Sequence, residues 1–407
     1  MGALRRPGLV YRPGATTYRG RVAWLHRRAW RRWSLVLSGT VALCAVPAVI
    51  AALPVPASAI SAASLRAHIL ASASQPYQAY AESTVNLGLP QLPDLHDVTD
   101  LLDGTTDQYV WYESPAYWRA DVVTGTGESD TYTDGGVTYL WNYGSNLLTQ
   151  VTGTQPVRLP RAADLLPPAL ALRLLHTAGT ADHYTRLPSR RVAGVAAAGL
   201  RLVPASPGTT IGAIDIWADP HTGLPVEVQI SARGSAAPVL TSTLLELTQA
   251  NPGLGAVIPH PAPQLGMTTT RLPDVDGVLN GDGDGDHDGT PFPPALAGLG
   301  HVTIPGSPPG IAVYGAGFSR LVLLPLPSDI GDDAQNAAIQ AGADTVPLTG
   351  QATGVLIRTP LINVVMVRAG FHHATFLFAG AVTPALLRSA ASGLVTDLSR
   401  QRFRIHR

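Results

Sequence analysis

Val110-Trp111-Tyr112-Glu113-Ser114-Pro115-Ala116-Tyr117-Trp118-Arg119-Ala120-Asp121 holds two aromatic-rich runs parted by a Ser-Pro pair. Aromatic and β-branched residues favour a pleated, half-buried surface, and Ser-Pro favours a turn. The stretch therefore predicts strands over 106–113 and 118–124. Working outward, 128–133, 137–143 and 147–152 repeat the pattern, separated by Asp134-Gly135-Gly136 and Gly144-Ser145-Asn146. Upstream, 77–87 alternates as a strand. A Leu- and Asp-rich loop follows over 88–104, with a short helix at 97–102. Short strands at this spacing predict an antiparallel meander.

Downstream, 161–176 is rich in Leu and Ala and reads as helical from Pro167, because proline is tolerated in a first turn. Strands resume at 192–204. A hairpin over 211–218 and 225–232 turns at Asp219-Pro220-His221-Thr222-Gly223, and 239–249 closes the set. Residues 251–310, dense in Pro, Gly and Asp, read as a linker. A smaller unit is expected over 311–400, with strands at 312–314, 320–325, 354–358, 362–368 and 374–378 and helices at 332–341 and 384–399. The order of elements is an α+β plan, β-rich overall.

The N-terminus is different in kind. Residues 1–33 carry nine arginines and no acid, and the other 19 arginines face 28 Asp and Glu. Ser34 to Leu53 is uncharged over 20 residues, about the 30 Å of a bilayer core at ~1.5 Å per residue. The arginines precede it, as the positive-inside rule asks of a cytoplasmic flank. Ala57-Ser58-Ala59 then fits a signal-peptidase site. Residues 1–33 thus read as a basic cytoplasmic segment, and 34–59 equally as a transmembrane anchor or as a leader cleaved near Ala59. The rest is expected outside the cytoplasm. Its acidic balance argues against nucleic-acid binding. The single Cys44 excludes an intramolecular disulfide.

The 110–121 stretch, with Asp134-Gly135, Trp141 and Tyr143 after it, resembles the LolA-type lipoprotein carriers and the related N-terminal domain of RseB-type regulators of sigma-factor signalling. The resemblance covers roughly residues 65–250. It implies an incomplete antiparallel β-barrel over 60–250 whose hydrophobic cavity is closed by plugging helices. As partners it implies lipid or lipoprotein acyl chains and, for an RseB-like plan with a second domain, a membrane-bound anti-sigma factor. No cofactor is implied.

Within that frame Trp111, Trp118, Trp141, Tyr143, Leu166 and Leu170 are the candidate cavity residues. Strand alternation sends only some of the aromatics inward, and for any single one of them ordinary sheet core is the better reading. Asp282, Asp284, Asp286 and Asp288 invite a calcium reading. A loop framed on Asp284 puts Gly289 at position six but Ala295 at position twelve, where a bidentate Glu belongs. A solvated acidic linker explains them better. His372-His373 lie adjacent and point apart. Ser319 lacks the second glycine of a nucleophile elbow, and Gly315-Ala316-Gly317 lacks the third glycine of a dinucleotide fingerprint. The expectation is therefore a binding protein and not an enzyme. The alternatives are an exported hydrolase or a β-sandwich surface module.

Overall fold

The computed structural model describes residues 30, 33–34, 36–41, 55–89, 96–124, 127–152, 158, 160–259, 266–271, 292–307, 310–326, 328–369 and 374–405. The chain divides into two compact units, Met1–Pro54 and Val55–Arg407. In the first, the described residues are helical. Among the described residues no helix is long and apolar enough to cross a membrane. Much of the expected anchor, 42–54, lies outside them, as do Asp282–Asp288 and His372-His373.

The second unit is built on two sheets. The larger has twelve strands in the order β12-β6-β5-β4-β3-β2-β1-β11-β10-β9-β8-β7. Its strands are β1 (Tyr77–Asn86), β2 (Asp103–Ser114), β3 (Tyr117–Thr124), β4 (Gly127–Asp134), β5 (Val137–Asn142), β6 (Leu147–Thr152), β7 (His183–Val192), β8 (Val195–Val203), β9 (Ile211–Ala218), β10 (Pro225–Ala232), β11 (Pro238–Thr248) and β12 (Gly266–Arg271). All neighbours are antiparallel except β12, which lies parallel to β6. The two ends do not meet, so the sheet is an incomplete barrel. The meander expected over 106–152 forms with its turns in place. Gly135 and Gly136, at φ +58° and +87°, make the tight β4–β5 connection that needs two left-handed residues.

Two helices cover one face of this sheet. Ala62–Ala71 starts at Ser61, whose side chain accepts a hydrogen bond from the Ser64 N–H at 3.0 Å. Pro167–Thr177 starts with two prolines in its first turn. Leu65, Ile69, Leu170, Leu174 and Leu175 from these helices pack against Leu200, Leu202, Ile214, Ile216, Val228 and Ile230. Strand β7, which carries Pro188, was not expected from sequence, where strands resume only at 192. Its place at the sheet edge and the register shift between Leu187 and Arg190 explain how the proline is accommodated.

The second sheet has eight strands, β13-β14-β15-β16-β20-β19-β18-β17. These are β13 (Ala295–Leu296), β14 (Leu299–Val302), β15 (Ala312–Tyr314), β16 (Leu321–Leu326), β17 (Asp344–Pro347), β18 (Thr353–Ile357), β19 (Asn363–Ala369) and β20 (Ala374–Gly380). The helix Pro384–Ile405 packs Leu387, Ala390, Ala391 and Leu394 on the face carrying Val365 and Val367. The helix Ser328–Gln340 sets Ala338 on the opposite face, against Met366. The linker expected over 251–310 is thereby corrected at both ends. Gly266–Arg271 extends the first sheet, and Leu296 is buried in the core of the second.

Candidate functional site

A cavity of about 760 Å³ lies between the covered face of β1–β6 and the wall formed by Arg158, Arg161 and the helical turns that carry Ala163 to Leu172. That volume falls within the ~300–1,000 Å³ of small-molecule sites. Strand alternation decides what reaches it. Tyr77 of β1, Val110 and Tyr112 of β2, Trp118 of β3, Thr138 of β5 and Val151 of β6 line the sheet wall. Their register pairs, Tyr77 with Tyr112, Tyr112 with Trp118 and Thr138 with Val151, confirm a common face. Leu166, Pro168, Ala169 and Leu172 line the helical wall, and Ser72 and Ala73 close one side.

The wall is held rigidly. The Tyr77 and Tyr112 rings stack at 5.2 Å, and the Tyr112 hydroxyl donates to the Ala73 carbonyl at 2.6 Å. Burial raises both phenols, Tyr112 to about 12, so both stay neutral. The helical wall is tied down by Asp164. Arg158 grips its carboxylate with two bonds of 2.7 Å, Arg173 adds one of 2.5 Å, and the Arg161 backbone N–H donates at 2.9 Å. Burial opposes ionisation of Asp164, but the Arg158 hydrogen bonds and the charges of Arg173 and Arg158 prevail and hold its pKa at about 2.

Of the residues expected in the cavity, Trp118 and Leu166 line it. Leu170 is buried one turn further into the helix–sheet core. Trp111, Trp141 and Tyr143 stand on the opposite face. Trp111 is offset by one residue from Val110 and Tyr112, and Trp141 by three from Thr138, so the two-residue period sends each away. Tyr143, just past the end of β5, stacks on Trp141 at 4.6 Å. On that far face Arg119 lies beneath Trp111, 5.1 Å from its ring centre, and bonds Asp121 at 2.5 Å and Asp130 at 2.9 Å. Tyr132 also donates to Asp130, at 2.9 Å.

Among the described residues, Asp121, Glu128 and Asp130 are the one group of carboxylates close enough together to hold a metal ion. The Arg119 guanidinium already stands between Asp121 and Asp130 and within 4.0 Å of Glu128. Burial, then the charge of Asp121, pushes Asp130 up to about 6. With Arg119 already among them, the three carboxylates form an ion-pair cluster.

Sequence reasoning missed Tyr77, Val110, Tyr112, Arg158, Arg161 and Asp164. The alternation of β2 was visible, but its phase relative to the helices was not. Asp164 carried one signal, its place three residues after Arg161 at the start of a helical run, which is a capping position.

No family model matches the chain, and no curated protein matches it. Among solved structures it is similar to the MucA/MucB complex of Pseudomonas aeruginosa, at 14% identity over 81% of this chain and 96% of that one, TM-score 0.45. It is also similar to LprF of Mycobacterium bovis, at 14% identity over 51% and 99% of the two chains, TM-score 0.30. A LolA superfamily protein of Nitrosomonas europaea follows, at 8% identity over 49% and 99%, TM-score 0.23.

Proposed function

We propose that the protein is an extracytoplasmic binding protein that holds an acyl chain, of a lipid or a lipoprotein, in the cavity between β1–β6 and the helical wall. One observation carries this reading: a cavity of about 760 Å³ walled by Val110, Tyr112, Trp118, Val151, Leu166 and Leu172. Each methylene moved from water into such surroundings gains roughly 0.8 kcal/mol. A chain of about a dozen carbons thus gains on the order of 10 kcal/mol before ordering costs. No polar code is needed, which suits a site without a short sequence motif. Export, by anchor or by leader, belongs to the same reading and rests on the arginine-flanked apolar run of residues 34–53.

The RseB-like resemblance adds a protein partner, a membrane-bound anti-sigma factor, which the part of the chain built on the second sheet would contact. Loss of that contact alone would leave lipid binding intact.

The test uses residues 55–407 purified from a bacterial host, native mass spectrometry and organic extraction. The expected result is co-purifying acyl lipid that is lost in Trp118→Asp and Leu166→Asp proteins whose circular dichroism is unchanged. A clean apo mass, with no uptake of a fluorescent fatty acid, would sink the lipid reading and leave the protein-partner one.

A further inference from the structure

The face of the large sheet turned away from the cavity carries an aromatic ladder. Val110 lines the cavity, so Tyr109 and Trp111 on either side of it point the other way, as does Tyr80, three residues on from Tyr77. Tyr80 and Tyr109 lie directly opposite each other on β1 and β2 with ring centres 4.7 Å apart, and Tyr109 lies 6.3 Å from Trp111. Tyr109 is 44% exposed, so solvent reaches the ladder. Its Trp111 end is already capped by a guanidinium, that of Arg119, directly opposite on β3. Among the described residues no cation caps the Tyr80 end.

Carboxylates flank that end instead. Glu246 of β11 pairs with Tyr80, and two residues further along the same face Glu82 and Asp107 sit directly opposite each other. Like charges so placed on a sheet are destabilising. Strands β11, β1 and β2 carry five acids, Glu82, Asp103, Asp107, Glu113 and Glu246, and no Arg, Lys or His. The short helix Leu254–Val257, which lies against β2, β3 and β4, adds no charge. Among the described residues no basic side chain pairs with Glu82, Asp107 or Glu246. The Asp107 Oδ1 is shut off from water and has no hydrogen-bond partner. Arg119 does not serve these acids, because Asp121 and Asp130 hold it. The sheet thus keeps a repulsive pair beside an open aromatic face, and a cation from outside would offset it.

We propose that this face docks a segment of a protein partner that carries arginine, its guanidinium stacked on the Tyr80 end of the ladder and bonded to Glu82 and Asp107. A guanidinium suits it better than an ammonium, because the planar group stacks on a ring while its fork of donors meets carboxylates. Arg119 already does both, with Trp111 on one side and Asp121 and Asp130 on the other. The site lies on the face opposite the lipid cavity and does not rest on that reading.

The experiment titrates residues 55–407 by fluorescence anisotropy against labelled glycine–serine peptides of one length that carry arginines, lysines or citrullines at the same positions. The arginine peptide is expected to bind at least fivefold tighter than the lysine one, and the citrulline one not measurably. Tyr109→Ala should abolish the preference for arginine. Glu82→Gln should weaken the arginine peptide at least fivefold while raising the Tm of the free protein, because it removes the repulsion with Asp107. Asp333→Asn, an equal change of net charge on the exposed side of the helix Ser328–Gln340, should leave peptide affinity unaltered. Equal binding of the arginine and lysine peptides, with Tyr109→Ala and Glu82→Gln no weaker than Asp333→Asn, would reduce the effect to general attraction by an acidic protein and overturn the proposal. Absence of any peptide binding would overturn it as well. So would binding of chitohexaose that is lost in Tyr109→Ala while the peptides fail to bind, which would assign the ladder to a saccharide.

Discussion

Asp164 and Asp130 are both buried carboxylates, and their neighbours drive them in opposite directions. Asp164 is outweighed by arginines and sits at about 2, below the ordinary ~3.9 of Asp. Its stabilising contribution is therefore complete above pH ~4 and is lost as pH falls toward 2, on the order of 2 kcal/mol. Asp164→Asn should lose a similar amount at neutral pH and flatten the acid limb of the stability curve, read as Tm against pH. Asp130 faces Asp121 in a buried site and sits at about 6. A raised carboxyl contributes most below pH ~4 and loses that contribution as pH climbs through 6. Wild-type Tm should thus sag between pH 4 and 7, and Asp130→Asn should remove the sag. At this scale much was visible in sequence, namely which residues are aromatic or charged. Which acid meets which arginine was not, because Arg158 and Arg173 converge on Asp164 only after the chain turns into its helix.

At the scale of elements, the β9–β10 turn shows how a local signal acquires a tertiary duty. Asp219-Pro220-His221-Thr222-Gly223 reads as a turn on composition alone. In the fold, Gly223 has φ +76°, and a Cβ there would lie 2.1 Å from the His68 carbonyl oxygen, on the helix Ala62–Ala71. Gly223→Ala should therefore cost more than the ~1 kcal/mol of an ordinary left-handed glycine, roughly 2–4 kcal/mol in urea unfolding. A cost under 1 kcal/mol would show that the helix yields easily. The helix Pro167–Thr177 makes the complementary case. Leu175 is 1% exposed and packed on β8–β10, so Leu175→Ala should lose about 2–5 kcal/mol. Leu172, on the same helix but facing the cavity, should tolerate alanine far better and change ligand affinity instead. The helix and its leucines were legible in sequence. Its division into a packing face and a cavity face was not, since that depends on where the sheet bends away from it.

At the scale of the whole molecule, the two sheets are joined by more than a linker. Thr210 N–H bonds the Ala381 carbonyl at 3.1 Å, and Thr383 N–H bonds the Gly208 carbonyl at 2.8 Å, so the approach to β9 pairs with the chain leaving β20. The Thr209 hydroxyl donates to Ala381 at 2.7 Å, the Thr210 hydroxyl donates to the Leu361 carbonyl, and Ser319 bonds Ser206 at 2.5 Å. Phe318 and Leu361 are buried within the first sheet's core, and Leu89 packs against cores of both sheets. Residues 55–407 should accordingly melt in one transition by calorimetry. Thr210→Val, which strands a buried carbonyl, should lower its midpoint without splitting it. Two resolved transitions in the wild-type protein would show instead that the sheets fold independently.

What the sequence determined by itself was the periodicity: an acidic, β-rich region behind a basic and apolar N-terminal stretch, with strands, turns and one apolar helix where local chemistry puts them. Alternation, turn residues and helix starts are short-range, and a linear chain displays them. The tertiary structure alone decided the phase of each strand against the helices, which set Trp118 facing the cavity and Trp111 facing away. It alone brought Arg158 and Arg173 onto Asp164, and the strand at 266–271 beside β6. Each of these depends on register between segments distant in sequence. A shift of one residue reverses the face of every side chain in a strand without changing its composition.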